Sequence, residues 1–199
     1  MFPYIFIRIE EELPTKMTVE KQIQDKIYEL INNVNKTIPV DWDELYINSE
    51  MSETGGNVYF FFKVADNDNL FYSLLIPDDF KVDEKTFEKM DYQNYVLARE
   101  HWKIFENNHI ELWKNASFIY KNNKLSIHFD YVDWNASQFG PTDRMNYFRY
   151  KYMKVAPEDN TQEQLFQEME KYQSEKLVIF IKFFSKVIDL KLIYRYWYN

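Results

Sequence analysis

The sequence predicts an α+β domain, an antiparallel sheet of about five strands with helices packed against it. Three observations carry this reading. A helical apolar period runs from Met17 to Lys36. Short strand-like runs then follow, joined by Gly and Asn turns. Longer helical patterns return after residue 83 and again after residue 140.

Met17 to Lys36 reads as a helix, because Val19, Ile23, Ile27, Leu30, Ile31 and Val34 recur at helical spacing. Thr18 is placed to cap it, Glu20 sits in the first turn, and Pro39 ends it. Three strands are expected next. In the first, Leu45, Ile47 and Ser49 alternate with Tyr46 and Asn48; in the second, Val58, Phe60, Phe62 and Val64 share one face. Leu70 to Ile76 is the third, and Gly55-Gly56 and Asp66 to Asn69 supply the turns. Connections this short imply an antiparallel meander.

A long helix is expected after Pro77, with Asp83 as its cap. Met90, Leu97 and Ile104 repeat every seventh residue, and Phe87 and Phe105 extend the stripe. Ser117 to Lys121 and Lys124 to Tyr131 read as a hairpin around Asn122-Asn123, residues that tolerate the positive φ of such turns. In its second strand Leu125, Ile127, Phe129 and Tyr131 share one face, and Ser126, His128 and Asp130 the other. One further helix starts near Pro141 and runs through MNYFRYKYM. Another starts at Thr161, where Thr161 and Gln164 fit a capping box.

At 199 residues the chain suggests one domain. The absence of cysteine excludes disulfide frameworks, thiolate zinc sites and cysteine nucleophiles, and fits a reducing cytosol. The first residues lack a basic region and a cleavage site, so they do not read as a signal peptide. The net charge of -8 is uneven. Asp41, Asp43, Glu44, Glu50, Glu53, Asp66, Asp68, Asp78 and Asp79 face only Lys63 between residues 41 and 80. Bare nucleic acid is therefore not an expected partner, since phosphate binding needs cations. A basic protein and plain solvent remain the two readings of that face. The segment 176–199 is apolar and basic, with Lys182, Ser185, Lys186 and Asp189 on one stripe; Lys182 interrupts any run of membrane-spanning length.

Only three glycines are present, and no Walker loop, G-x-G-x-x-G turn, G-x-S-x-G elbow or HExxH occurs. The Asp66 turn lacks the glycine and glutamate of an EF-hand loop. What remains is FDYVDW, residues 129–134, preceded by His128. His128 and Asp130 share a strand face and Asp133 lies past its end, so a metal-dependent hydrolase using these three is one reading. Membrane-surface action through the tail is another. Trp134 and Phe139 stand in a loop, WNASQFGP, where large rings are hard to explain as packing; beside carboxylates they suit a protein interface. Tyr147 to Tyr152 suits the core.

Several short blocks occur in order: IPVDWDELY (residues 38–46), VYFFFK through YSLLIP (58–77), Phe87 opening its helix, Trp113 before SFIY, then FDYVDW, FGP and YFRYKYMKVAPE. With these blocks the chain resembles the YezG-like immunity proteins, which include the EsaG-type antitoxins, over residues 17–172. The resemblance implies a cytoplasmic, non-enzymatic antitoxin without cofactors. Its partner would be the basic nuclease domain of a toxin exported by type VII secretion, occluded stoichiometrically, with no direct nucleic acid contact and no stable membrane insertion. The candidate toxin-binding residues are then Asp41, Asp43, Glu44, Asp130, Asp133, Trp134 and Phe139. Loss of Asp130 or Asp133 is expected to weaken such a complex and leave the fold intact. Residues 17–175 would form the immunity domain, 1–16 an N-terminal extension, and 176–199 a tail that departs from the family's polar, acidic ending.

Overall fold

The computed structural model describes residues 18–65 and 69–184. The expected extension 1–16, the turn residues Asp66 to Asp68 and the tail past 184 lie outside the described residues, as do the side chains of 177–184.

Helix α1 (Val19–Thr37) starts where the Thr18 side chain accepts from the Lys21 N–H, and it buries Ile27, Leu30 and Val34. It packs on α3 (Glu84–Asn107), which Asp83 caps by accepting from Thr86 N at 2.9 Å. Asn33 joins the pair, donating to Met90 O at 3.1 Å and to Asn94 Oδ1 at 2.7 Å. Between these helices lie β1 (Trp42–Ser52), β2 (Gly55–Val64) and β3 (Leu70–Tyr72). After α3 come β4 (Asn115–Lys121) and β5 (Lys124–Asp130), closed by Asn122 and Asn123, both at positive φ. The five strands form one antiparallel sheet in the order β3-β2-β1-β4-β5.

Both faces of that sheet are covered. On one, Leu45, Ile47, Met51, Val58, Phe60, Phe62 and Phe118 pack with α1 and α3. On the other, Tyr46, Tyr59 and Phe61 meet Phe148 of α4 (Pro141–Met153). A third cluster, with Val132, Trp134, Phe139, Tyr147, Phe166 and Met169, joins the loop after β5 to α4 and α5 (Asn160–Phe184). Two-sided cover explains why Leu45 to Ser49 and Val58 to Phe62 are buried without a break, where one-sided strands alternate.

Two expectations are corrected. The strand expected over Leu70 to Ile76 stops at Tyr72, because Ser73 Oγ accepts from Phe60 N at 3.2 Å where a β3 carbonyl would pair. The chain then takes a 3₁₀ turn (Ser73–Leu75) into α2 (Ile76–Phe80), which carries Pro77 in its first turn. Helix α5 begins at Asn160, ahead of Thr161, and Asp159 Oδ1 accepts from Gln162 N at 2.8 Å. A short acid placed at the helix entry takes the capping role expected of Thr161.

His101 of α3 is fully buried. Its ring stacks on Phe129 (centroids 5.8 Å apart) and meets Phe105, Trp113 and Phe118. Neither ring nitrogen has a hydrogen-bond partner. Burial alone lowers its pKa from 6.5 to about 4. In that window the unfolded chain binds the extra proton, so this contribution is full above pH 6.5 and is lost as pH falls toward 4. The linkage predicts a loss of up to about 3 kcal/mol at pH 4 from this group. His101→Phe should show a shallower acid decline in urea unfolding between pH 7 and 4.5. An unchanged decline would exclude the buried imidazole as its source.

Candidate functional site

The residues singled out in the sequence separate into two groups at opposite ends of the sheet. Along β1, Leu45 lies opposite Tyr120 at the hairpin end, while Glu50 lies opposite Asn115, itself opposite Asp130. Seven residues of strand separate Asp43 from Glu50, about 23 Å at the usual rise.

At the Asp130 end, FDYVDW turns the chain out of the sheet. Phe129 points into the aromatic cage around His101. Asp130 faces the other way and fixes the turn. Its Oδ1 accepts from Val132 N at 2.9 Å, and its Oδ2 accepts from Trp134 Nε1 at 2.8 Å and from Gln173 Nε2 at 2.6 Å. Asp133 is exposed and accepts from Ala136 N at 3.3 Å, capping the 3₁₀ turn Trp134–Ala136.

The expectation that Trp134 and Phe139 stand out of the packing is corrected. They are 7% and 4% exposed, and their rings pack on each other and on Tyr172. The loop folds back on α4 and α5 because Asp130 satisfies the indole N–H and Arg144 satisfies the Phe139 carbonyl at 2.9 Å. Arg144 also forms a bidentate pair with Glu50, both bonds 3.0 Å, and donates to Asn135 Oδ1 at 3.2 Å. Sequence reasoning missed Arg144 and Gln173. Partners 94 and 43 residues away leave no spacing signal.

A cavity of about 40 Å³ lies here, lined by polar Asn48, Ser117, Asp130, Arg144, Lys151 and Gln173 and by Trp134, Tyr147, Phe148 and Met169 among others. That volume suits water and is far below a substrate pocket. Burial lowers the Lys151 pKa, partly offset by Asp130 and Glu170, and its ammonium donates to Gln173 Oε1 at 2.9 Å. His128 lies against Tyr152, centroids 5.3 Å apart; burial and then Lys151 depress its pKa. His128, Asp130 and Asp133 thus engage three different surroundings. Among the described residues no group of three His, Asp or Glu side chains could hold a metal. Nor is any described helix long and apolar enough to cross a membrane.

At the hairpin end, Asp41 and Asp43 are exposed. They border an open depression of about 810 Å³ whose walls include Asn35, Pro39, Trp42, Tyr120 and Asn123. Trp42 is held edge-on to Tyr120, centroids 5.4 Å apart, and donates from Nε1 to Asn35 Oδ1 at 2.9 Å. Glu44 is half-buried. Burial raises its pKa, but hydrogen bonds from Tyr46 and Lys121 outweigh that and hold the carboxyl below the usual range. Two carboxylates thus meet solvent beside a fixed aromatic wall, and a third is braced behind them.

The family model for YezG-like immunity proteins matches residues 23–167. The chain is 29% identical to the type VII secretion system protein EsaG of Staphylococcus aureus, over 80% of this chain and 98% of that one. It is 26% identical to the immunity protein YezG of Bacillus spizizenii (69% and 86% covered) and 26% identical to YezG of Bacillus subtilis (67% and 89% covered).

Asp130 and Asp133 differ in what they hold. Asp130→Ala strands an indole N–H, a backbone N–H and the Gln173 amide, and should lower unfolding free energy by about 2–4 kcal/mol. Asp133→Ala removes one exposed cap and should cost about 1 kcal/mol or less. Chemical denaturation measures both, and equal effects would contradict the assigned roles.

Proposed function

This chain belongs to the YezG-like immunity protein family, and from that premise we propose that it neutralises a secreted nuclease toxin in the cytoplasm by covering its catalytic cleft. An immunity protein binds a toxin; the family is not one of enzymes. The relative named for type VII secretion supports that route of export for the toxin. A domain that cuts DNA must present cations to phosphate, and an acidic surface is its electrostatic complement.

The observation that carries the choice of face is the exposure of Asp41 and Asp43 on the rim of the 810 Å³ depression. Basic side chains of the cleft enter there, with Trp42 and Tyr120 as the apolar wall. Glu44 adds negative potential from behind, tied to Lys121 at 2.9 Å. Asp130, Trp134 and Phe139 act from the far end as the framework of the loop after β5, and Asp133 is the exposed acid of that loop.

The test uses the full chain and the nuclease domain of a type VII-exported toxin encoded beside it. Asp41→Lys combined with Asp43→Lys should slow association by about tenfold or more and flatten its salt dependence. Circular dichroism should be unchanged, since both residues are exposed. Unaltered binding would overturn the assignment of this face. Loss of binding in Asp133→Lys alone would move the contact to the other end.

A further inference from the structure

We propose that two copies of this chain pair through β5, edge to edge, into one continuous ten-stranded sheet. Strand β5 ends the sheet, and among the described residues nothing pairs with its outer side. The two-residue turn at Asn122-Asn123 makes Lys121 and Lys124 the first hydrogen-bonded pair of the hairpin. Alternation along an antiparallel strand then fixes the rest. Ser126, His128 and Asp130 direct their backbone groups toward β4. Leu125, Ile127 and Phe129 direct theirs outward.

Those outward groups are a row of donors and acceptors, the feature that invites another strand. The sequence KLSIHFD is self-complementary about its centre. Set antiparallel on a two-fold axis at Ile127, Lys124 falls opposite Asp130, Leu125 opposite Phe129 and Ser126 opposite His128. Ile127 then meets its own counterpart on the axis, flanked by Leu125 and Phe129, apolar pairings that stabilise a strand pair, while the Asp130 carboxylate stays engaged by Val132, Trp134 and Gln173 within its own copy. Shifting the register by two residues takes Ile127 off the axis and away from its own counterpart. Ile127 is 37% exposed, the large apolar residue this arrangement would cover. The axis keeps α1 and α3 of both copies on the same side of the joined sheet. The contact surface is distinct from the Asp41–Asp43 rim, so it does not rest on toxin binding. It is isologous, and each copy keeps its second edge at β3.

The chain has no cysteine, which makes the register directly testable. Across a hydrogen-bonded antiparallel pair the Cα atoms lie about 5.5 Å apart, within disulfide reach. Full-length Ile127→Cys should oxidise to a covalent dimer. Ser126→Cys should not, because position 126 faces position 128 of the partner, and neither should Leu74→Cys, a control at a site 50% exposed. Light scattering of the unmodified chain should give twice its 24.5 kDa mass. Ile127→Pro removes an outward N–H without touching β4, and should return the chain to monomer with its circular dichroism unchanged. A monomeric native chain would overturn the proposal. So would equal cross-linking of all three cysteine variants, or a dimer that Ile127→Pro leaves intact.

Discussion

Everything else in this domain is arranged around the burial of β1 on both faces. Its residues Leu45 to Ser49 are buried without a gap, and β2 repeats this from Val58 to Phe62. Leu45, Ile47, Phe60 and Phe62 need one cover; Tyr46, Tyr59 and Phe61 need another. Each large side chain is worth about 1.5–3 kcal/mol when withdrawn from water, so neither face can be left open. The α1–α3 pair covers the first. The second requires the chain to return after β5, and that return is what the loop, α4 and α5 accomplish.

The return is held by polar groups more than by regular structure. Asp130 gathers a backbone N–H, an indole and the Gln173 amide at one carboxylate. Arg144 joins Glu50 of β1 to the Phe139 carbonyl. Both acids are therefore internal linkers, though nothing in their local sequence separates them from solvent-facing ones. The count of acids between 41 and 80 overstates the free negative surface for this reason. Glu50 is taken by Arg144 and Glu44 by Lys121 and Tyr46, while Asp41, Asp43, Glu53, Asp78 and Asp79 are exposed.

Local chemistry was legible wherever one interaction of short range decides. Thr18 and Asp83 cap as their positions suggest, Asn122-Asn123 makes the hairpin, and Pro141 opens α4. The α+β class followed from these. Ser73 was opaque, because its hydroxyl acts on Phe60 across 13 residues. Trp134 and Phe139 read as loop rings because their cover comes from Tyr172, far along the chain. The sites followed the same division. Individual acids could be nominated from sequence, but their grouping at two ends of the sheet depends on strand register, which spacing alone does not supply.

That grouping bears on how an immunity domain can keep its fold while its partner changes. At the Asp130 end, Asp130, Glu50, Arg144 and Gln173 have internal partners, so substituting them loosens the cover of β1. At the hairpin end, Asp41 and Asp43 are exposed, and exposed positions tolerate replacement within about 0.5 kcal/mol. Trp42 is fixed by Asn35 and Tyr120, and Glu44 by Lys121, so the rim has rigid supports behind variable tips. On the proposed reading, a partner with a different pattern of cations is met by changing the tips alone. A binding face at the Asp130 end would couple each change of partner to a loss of stability comparable with a sizeable part of the whole, since domains retain only about 5–15 kcal/mol. The physical economy of the fold therefore favours recognition at the end of the sheet where the carboxylates are not already engaged.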